Sequence, residues 1–103
     1  MEKFEARLQG NFDDVLIKLH DTIEIDKIGE SEYRSDDVRC MVRVYERFSI
    51  LSGWHITLTI MLTETKDELF LSLICGGGGI SLSGHQRKVL AQVTQVLEEY
   101  KAQ

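Results

Sequence analysis

The pattern of apolar residues predicts an α+β protein, a two-layer sandwich with two helices on one face of a mainly antiparallel sheet of four or five strands. Three observations lead there. Apolar residues alternate with polar ones, the period of a half-buried strand, in segments beginning at Phe4, Val38, Trp54 and Leu69. Spacings of three and four, the period of an amphipathic helix, occur after Asn11 and again near the C-terminus. The later strands follow one another through short turns, which antiparallel neighbours need. The expected order is β-α-(β)-β-β-β-α, in a single domain over residues 1–103.

Phe4, Ala6 and Leu8 alternate with Glu5, Arg7 and Gln9 as a first short strand closed by Gly10. Asn11 is placed to cap a helix, with Asp13 and Asp14 in its first turn, where carboxylates meet the positive end of the helix dipole. Phe12, Val15, Leu16, Leu19 and Ile23 line one face of that helix, which should fade near Ile25 or Asp26. Residues 26–37 are polar and read either as a loop or as a connection with one short or edge strand around 30–34.

From Val38 the alternation is strong: Val38, Cys40, Val42 and Val44 against Arg39, Met41, Arg43 and Tyr45. The valines are expected in the core and the odd-numbered residues on the solvent face. A turn follows at residues 51–53. The next strand sets Trp54, Ile56, Leu58, Ile60 and Leu62 against His55, Thr57, Thr59, Met61 and Thr63, and β-branched residues suit an extended chain. In the last strand Leu69, Leu71 and Leu73 point inward, while apolar Phe70 and Ile74 on the other side suggest a second buried surface. The four glycines at 76–79 are expected to break this strand. Ser83 then caps a final helix, with Gln86 reaching back and Val89, Leu90, Val93, Val96, Leu97 and Tyr100 on its inner face.

Composition sets bounds on function. The chain has 103 residues, 43% of them hydrophobic and 28% charged, which suits a folded globular protein. Twelve Lys and Arg against 17 Asp and Glu give a net charge of −5, so neither nucleic acid nor an anionic membrane is an expected partner. No apolar run is long enough to span a bilayer, and residues 1–5 lack the apolar core of a secretion signal. Cys40 and Cys75 form no C-x-x-C motif and read as reduced, buried small hydrophobes, so a cytoplasmic location is expected.

Two places could carry function. Arg39, Arg43 and Arg47 share a strand face with Met41 and Tyr45, and Arg39 lies ~13 Å from Arg43 at the rise of a strand. Guanidinium forks on a flat surface suit carboxylates and phosphates. The plainer alternative is a solvated face with arginines paired across strands to Glu or Asp. Glu46 falls on the valine side of the same strand, so it marks a bulge, a rim position or a functional carboxylate. The second place is the glycine run. Gly79 and Gly84 have the G-x-x-x-x-G spacing of a phosphate loop, but His85-Gln86 stands where Lys and a hydroxyl residue are required, which excludes that class of nucleotide triphosphatase. What survives is a backbone approach to a ligand at Gly77, Gly78 and Gly79 with His85 nearby; the plainer alternative is a flexible crossover. His20, His55 and His85 have no metal-ligand spacing, and no metal, cofactor or catalytic residue is assigned.

The run Asp37-Val38-Arg39, continued by Val42-Arg43-Val44-Tyr45-Glu46-Arg47-Phe48-Ser49, resembles a family of small, functionally uncharacterised bacterial proteins. The resemblance extends in outline to the following turn, the hydrophobic strand, the glycine-rich segment and the C-terminal amphipathic helix. It implies a bacterial cytosolic protein and supplies no activity or cofactor.

The function itself is unknown from sequence. The favoured expectation is a binding module, more readily than an enzyme, with Arg39, Arg43, Tyr45, Glu46 and Arg47 meeting a small anion or an acidic protein segment, or with the chain forming a homodimer. The alternative is a small enzyme or ligand receptor with a pocket at the glycine loop and the start of the last helix, where Glu46 or His85 would act as acid–base group.

Overall fold

The computed structural model describes residues 2–51, 53–78 and 82–100, with the backbone alone for 82–86. Its elements are β1 (Glu2–Leu8), α1 (Phe12–Thr22), β2 (Asp26–Arg34), β3 (Arg39–Ser49), β4 (Trp54–Glu64), β5 (Leu69–Gly78) and α2 (Leu82–Leu97), followed by a short 3-10 turn, Glu98–Tyr100. The sheet order is β1-β5-β4-β3-β2, antiparallel throughout. Strands β2 to β5 form a meander of hairpins. α1 crosses the sheet from one edge strand to the other, and β1 closes against β5. The expected α+β architecture, with its two helices, is therefore the observed one.

Local chemistry accounts for the elements. Asn11 has an extended backbone, and its Oδ1 accepts from the N–H groups of Asp13 and Asp14 at 2.9 and 3.1 Å, satisfying two of the free donors at the helix start. α1 stops at Thr22, three or four residues short of the expected end. Polar residues 26–34 form a full edge strand, whose register shifts between Lys27 and Gly29. A charged strand at an edge keeps its free backbone groups from pairing with other chains.

The core is one cluster between the helices and the sheet. It holds Leu8, Phe12, Val15, Leu16 and Leu19 from the first two elements, and Ile56, Leu58, Ile60 and Leu62 from β4. β5 adds Leu69, Leu71, Leu73 and Cys75, and α2 adds Leu90, Val93 and Leu97.

Three sequence expectations are corrected. In β3 the odd-numbered residues face the helices: Met41 and Tyr45 are buried, whereas Val42 and Val44 are only half-buried on the opposite, uncovered face. The alternation is present and its direction is the reverse of that expected, because long arginine stems can lie along apolar surface with the charged head at the rim. Secondly, the glycine run does not break β5, which continues to Gly78; Gly79 lies outside the described residues. Thirdly, α2 begins at Leu82, so Ser83 is inside the helix rather than its cap.

Candidate functional site

The arginines of β3 sit at the flank of α1, where β2 extends beyond helix cover. Arg39 donates from Nε to Glu32 at 2.8 Å, its Nη2 lies 3.0 Å from Asp13, and its guanidinium lies 4.1 Å from the centre of the Phe12 ring. Arg43 donates from Nε to Glu30 at 2.9 Å. The side chains of Arg39 and Arg43 are only 17% and 16% exposed. Lys27 pairs with Glu30 and Arg34 with Glu32, so acids and bases alternate across the two strands. Arg47 is exposed and donates to the carbonyl oxygen of Glu24 at 2.8 Å.

The electrostatics follow from these contacts. The hydrogen bond from Arg43, with a second from Lys27, holds the Glu30 carboxyl below its ordinary range. Arg39 does the same to Glu32, against a smaller opposing effect of burial. Arg39 is raised, first by its bond to Asp13. Burial disfavours the charge on Arg43, but hydrogen bonds to Glu30 and Tyr45 outweigh it and leave the group raised. The side chains thus satisfy one another within the chain, the cross-strand pairing that the sequence left as the plainer alternative.

Tyr45 is 1% exposed, and its hydroxyl is 3.2 Å from His20 Nδ1. Arg43 also interacts with this phenol, so the hydroxyl lies between a guanidinium and an imidazole. His20, an exposed residue outside the apolar stripe, thereby anchors α1 to β3.

The other sheet face is uncovered. Across β3, β4 and β5 it presents Cys40, Val42 and Val44, then Thr57, Thr59, Met61 and Thr63, then Phe70, Ser72 and Ile74. Glu46 stands on this face beside His55, with 2.8 Å between Oε2 and Nε2, and the Phe48 ring packs near the imidazole. β3 contains no bulge. Glu46 is on the valine side as alternation requires, and that side is open, so no buried carboxylate results. Cys40 is half-buried here and accepts from Thr63 Oγ1 at 3.4 Å, while Cys75 is buried on the helix side, where desolvation pushes its thiol up to about 11.

The glycine end of β5 has a packing explanation. Gly77 pairs with Ile56 and Gly78 with His55. At Gly77 the backbone has φ +140°, and a Cβ there would overlap the carbonyl of His55. The structure thus gathers Arg39, Arg43 and Tyr45 beside α1, sets Glu46 on the far side of the sheet, and places Gly77 and Gly78 in the ladder. The side chain of His85 lies outside the described residues. Sequence reasoning missed Asp13, Glu30 and Glu32 as partners. The available signal was Glu30-Ser31-Glu32, two carboxylates on one strand face next to a strand of arginines.

Among the described residues, no helix is long and apolar enough to cross a membrane, and no three His, Cys, Asp or Glu side chains are grouped to hold a metal ion. Fold and site together define a class: a two-layer α+β protein with one helix-covered sheet face, a charge zipper at its flank and one bare sheet face. The chain belongs to DUF6054, a family of unknown function whose profile matches residues 1–101. No curated protein and no solved structure matches it.

Proposed function

We propose that this protein is a small interaction module that works as a homodimer, burying the open face of its sheet against the same face of a second copy. The observation that carries this reading is the uncharged centre of that face. From Cys40 to Val44, Thr57 to Thr63 and Phe70 to Ile74, no outward-pointing side chain is Asp, Glu, Lys or Arg, while such residues stand at the margin: Lys3, Glu5 and Arg7 on edge strand β1, and Glu46, beside His55, toward the β3–β4 turn. An apolar-leaning centre within a polar rim is the usual anatomy of a protein interface.

The area also suits a dimer. Five strands at ~4.8 Å spacing and ~3.3 Å per residue give a face on the order of 700 Å². Two such faces bury about 1,400 Å², within the range of specific complexes. A two-fold axis would make the contact self-complementary and give a layer order of helices, sheet, sheet, helices. An acidic partner at Arg39 and Arg43 is the weaker reading, because it has to displace Asp13, Glu30 and Glu32. Two free thiols on opposite faces of the sheet are in keeping with the cytoplasmic location included in this reading.

Light scattering on the eluting protein tests it. The wild type should run at twice the 11.8 kDa chain mass, and Val42→Lys and Ile74→Lys should run as monomers with unchanged circular dichroism. A wild type that stays at 11.8 kDa at high concentration overturns the proposal.

A further inference from the structure

On the helix side, where α2 passes over the glycine end of the sheet, the core does not close. A cavity of about 240 Å³ lies between the segment after α1, the end of β3, the start of β4 and the second and third turns of α2. Its apolar lining includes Ile25, Trp54, Ile56 and Val89, and two cationic side chains, Arg47 and Lys88, stand at its mouth. Arg47 is oriented there by its bond to the Glu24 carbonyl, which leaves its other guanidinium donors available. Lys88 is exposed, on α2, and has no ion-pair partner among the described residues. Glu24, also exposed, lines the cavity as well, so the charged residues around it are two cations and one anion.

We infer that this cavity is a binding site for a small organic carboxylate with an apolar body. The chemistry divides by depth. Apolar atoms leaving water for the Ile25–Trp54–Ile56–Val89 lining contribute roughly 25 cal/mol per Å², and the flat indole of Trp54 favours a linear or planar body. The carboxylate would remain at the mouth, where an arginine fork and a lysine supply charge-assisted hydrogen bonds. Size limits the ligand. At ~30 Å³ for a water, the cavity equals roughly eight waters, which suits a molecule of about ten non-hydrogen atoms and excludes a nucleotide or a full-length fatty acid. The site is on the opposite side of the sheet from the proposed dimer face and does not depend on it. Glu46, which points to that other face, takes no part.

The test uses octanoate as probe, with octanol as its uncharged counterpart. Trp54 is the only tryptophan in the chain, so its emission reports on the cavity directly, and isothermal calorimetry on the same samples detects binding that leaves the emission unchanged. Octanoate should bind saturably and at least tenfold more tightly than octanol. Lys88→Glu, an exposed helix position whose replacement leaves the core untouched, should weaken octanoate at least tenfold without affecting octanol. Absence of saturable octanoate binding by both methods overturns the inference. So does equal affinity for the two probes, or a Lys88→Glu protein that binds octanoate as the wild type does.

Discussion

The guanidinium of Arg39 lies 4.1 Å from the centre of the Phe12 ring while bonding Asp13 on one side and Glu32 on the other. One side chain thus ties the first turn of α1 to β3 and to edge strand β2. The ring contact and the two-sided fork both depend on a planar cation, which lysine does not provide. Arg39→Lys should therefore cost about 1 kcal/mol despite keeping the charge, and Arg39→Ala about 2 kcal/mol because the packed stem is lost as well. Urea unfolding midpoints of the three proteins check this, and a Lys variant as stable as wild type refutes the structural role of the plane.

The same strand shows where sequence reading succeeds and where it stops. Alternation in β3 places Arg39, Met41, Arg43, Tyr45 and Arg47 together, and they are together. Alternation does not say which side faces the helices. Valine is apolar, which assigns Val42 and Val44 to the core by sequence, yet in a sheet whose second face is open, β-branched residues occupy half-exposed positions for their extended conformation. Met41 and Tyr45 fill the larger space beneath α1. In β4 the direction was legible because Ile and Leu oppose Thr, a contrast that β3 lacks. β2 is ambiguous in the sequence because its cue is charge matching to a neighbouring strand, which only the fold brings into register. Asn11, by contrast, acts through its own next three residues, so its capping role was readable directly.

The charge zipper gives stability a defined dependence on pH. Glu30 and Glu32 have folded-state pKa values below the ordinary 4.5, so in that range the unfolded chain binds more protons. Their contribution is present in full above the ordinary value and is lost as pH falls through the lowered folded values. The urea midpoint should therefore begin to drop as pH falls toward the ordinary value of 4.5 and go on dropping below it. The double variant Glu30→Gln, Glu32→Gln should be less stable than wild type at neutral pH, with a shallower drop, so that the two curves converge in acid. Parallel curves would show that these carboxylates are not the groups responsible.

Tyr45 combines near-complete burial with a hydroxyl that bridges Arg43 and His20. Removing the hydroxyl alone takes a partner from both neighbours. Tyr45→Phe should cost about 1 kcal/mol, the net worth of a typical buried hydrogen bond. Tyr45→Ala should cost about 3–5 kcal/mol through the cavity it leaves. His20→Ala on the Tyr45→Phe background should then add little, since the partner is already gone, and a double-mutant cycle measures that coupling. Fully additive losses would mean that the imidazole contributes elsewhere than through this phenol.

Gly77 and Gly78 are neighbours in sequence and in the ladder, but they answer to different constraints. At Gly77 the positive φ and the close approach of the His55 carbonyl leave no room for a side chain. At Gly78 a Cβ meets nothing within 4 Å. Gly77→Ala must strain its own backbone and push β5 away from β4, so it should lose more than about 1 kcal/mol. Gly78→Ala should stay within about 0.5 kcal/mol of wild type, as substitutions away from tight contacts do. A flexible crossover, the plainer reading of the glycine run, predicts no such contrast: two positions equally tolerant because neither is packed. Thermal unfolding of the two variants side by side distinguishes the cases, and equal melting temperatures would remove Gly77 and Gly78 from the β4–β5 ladder.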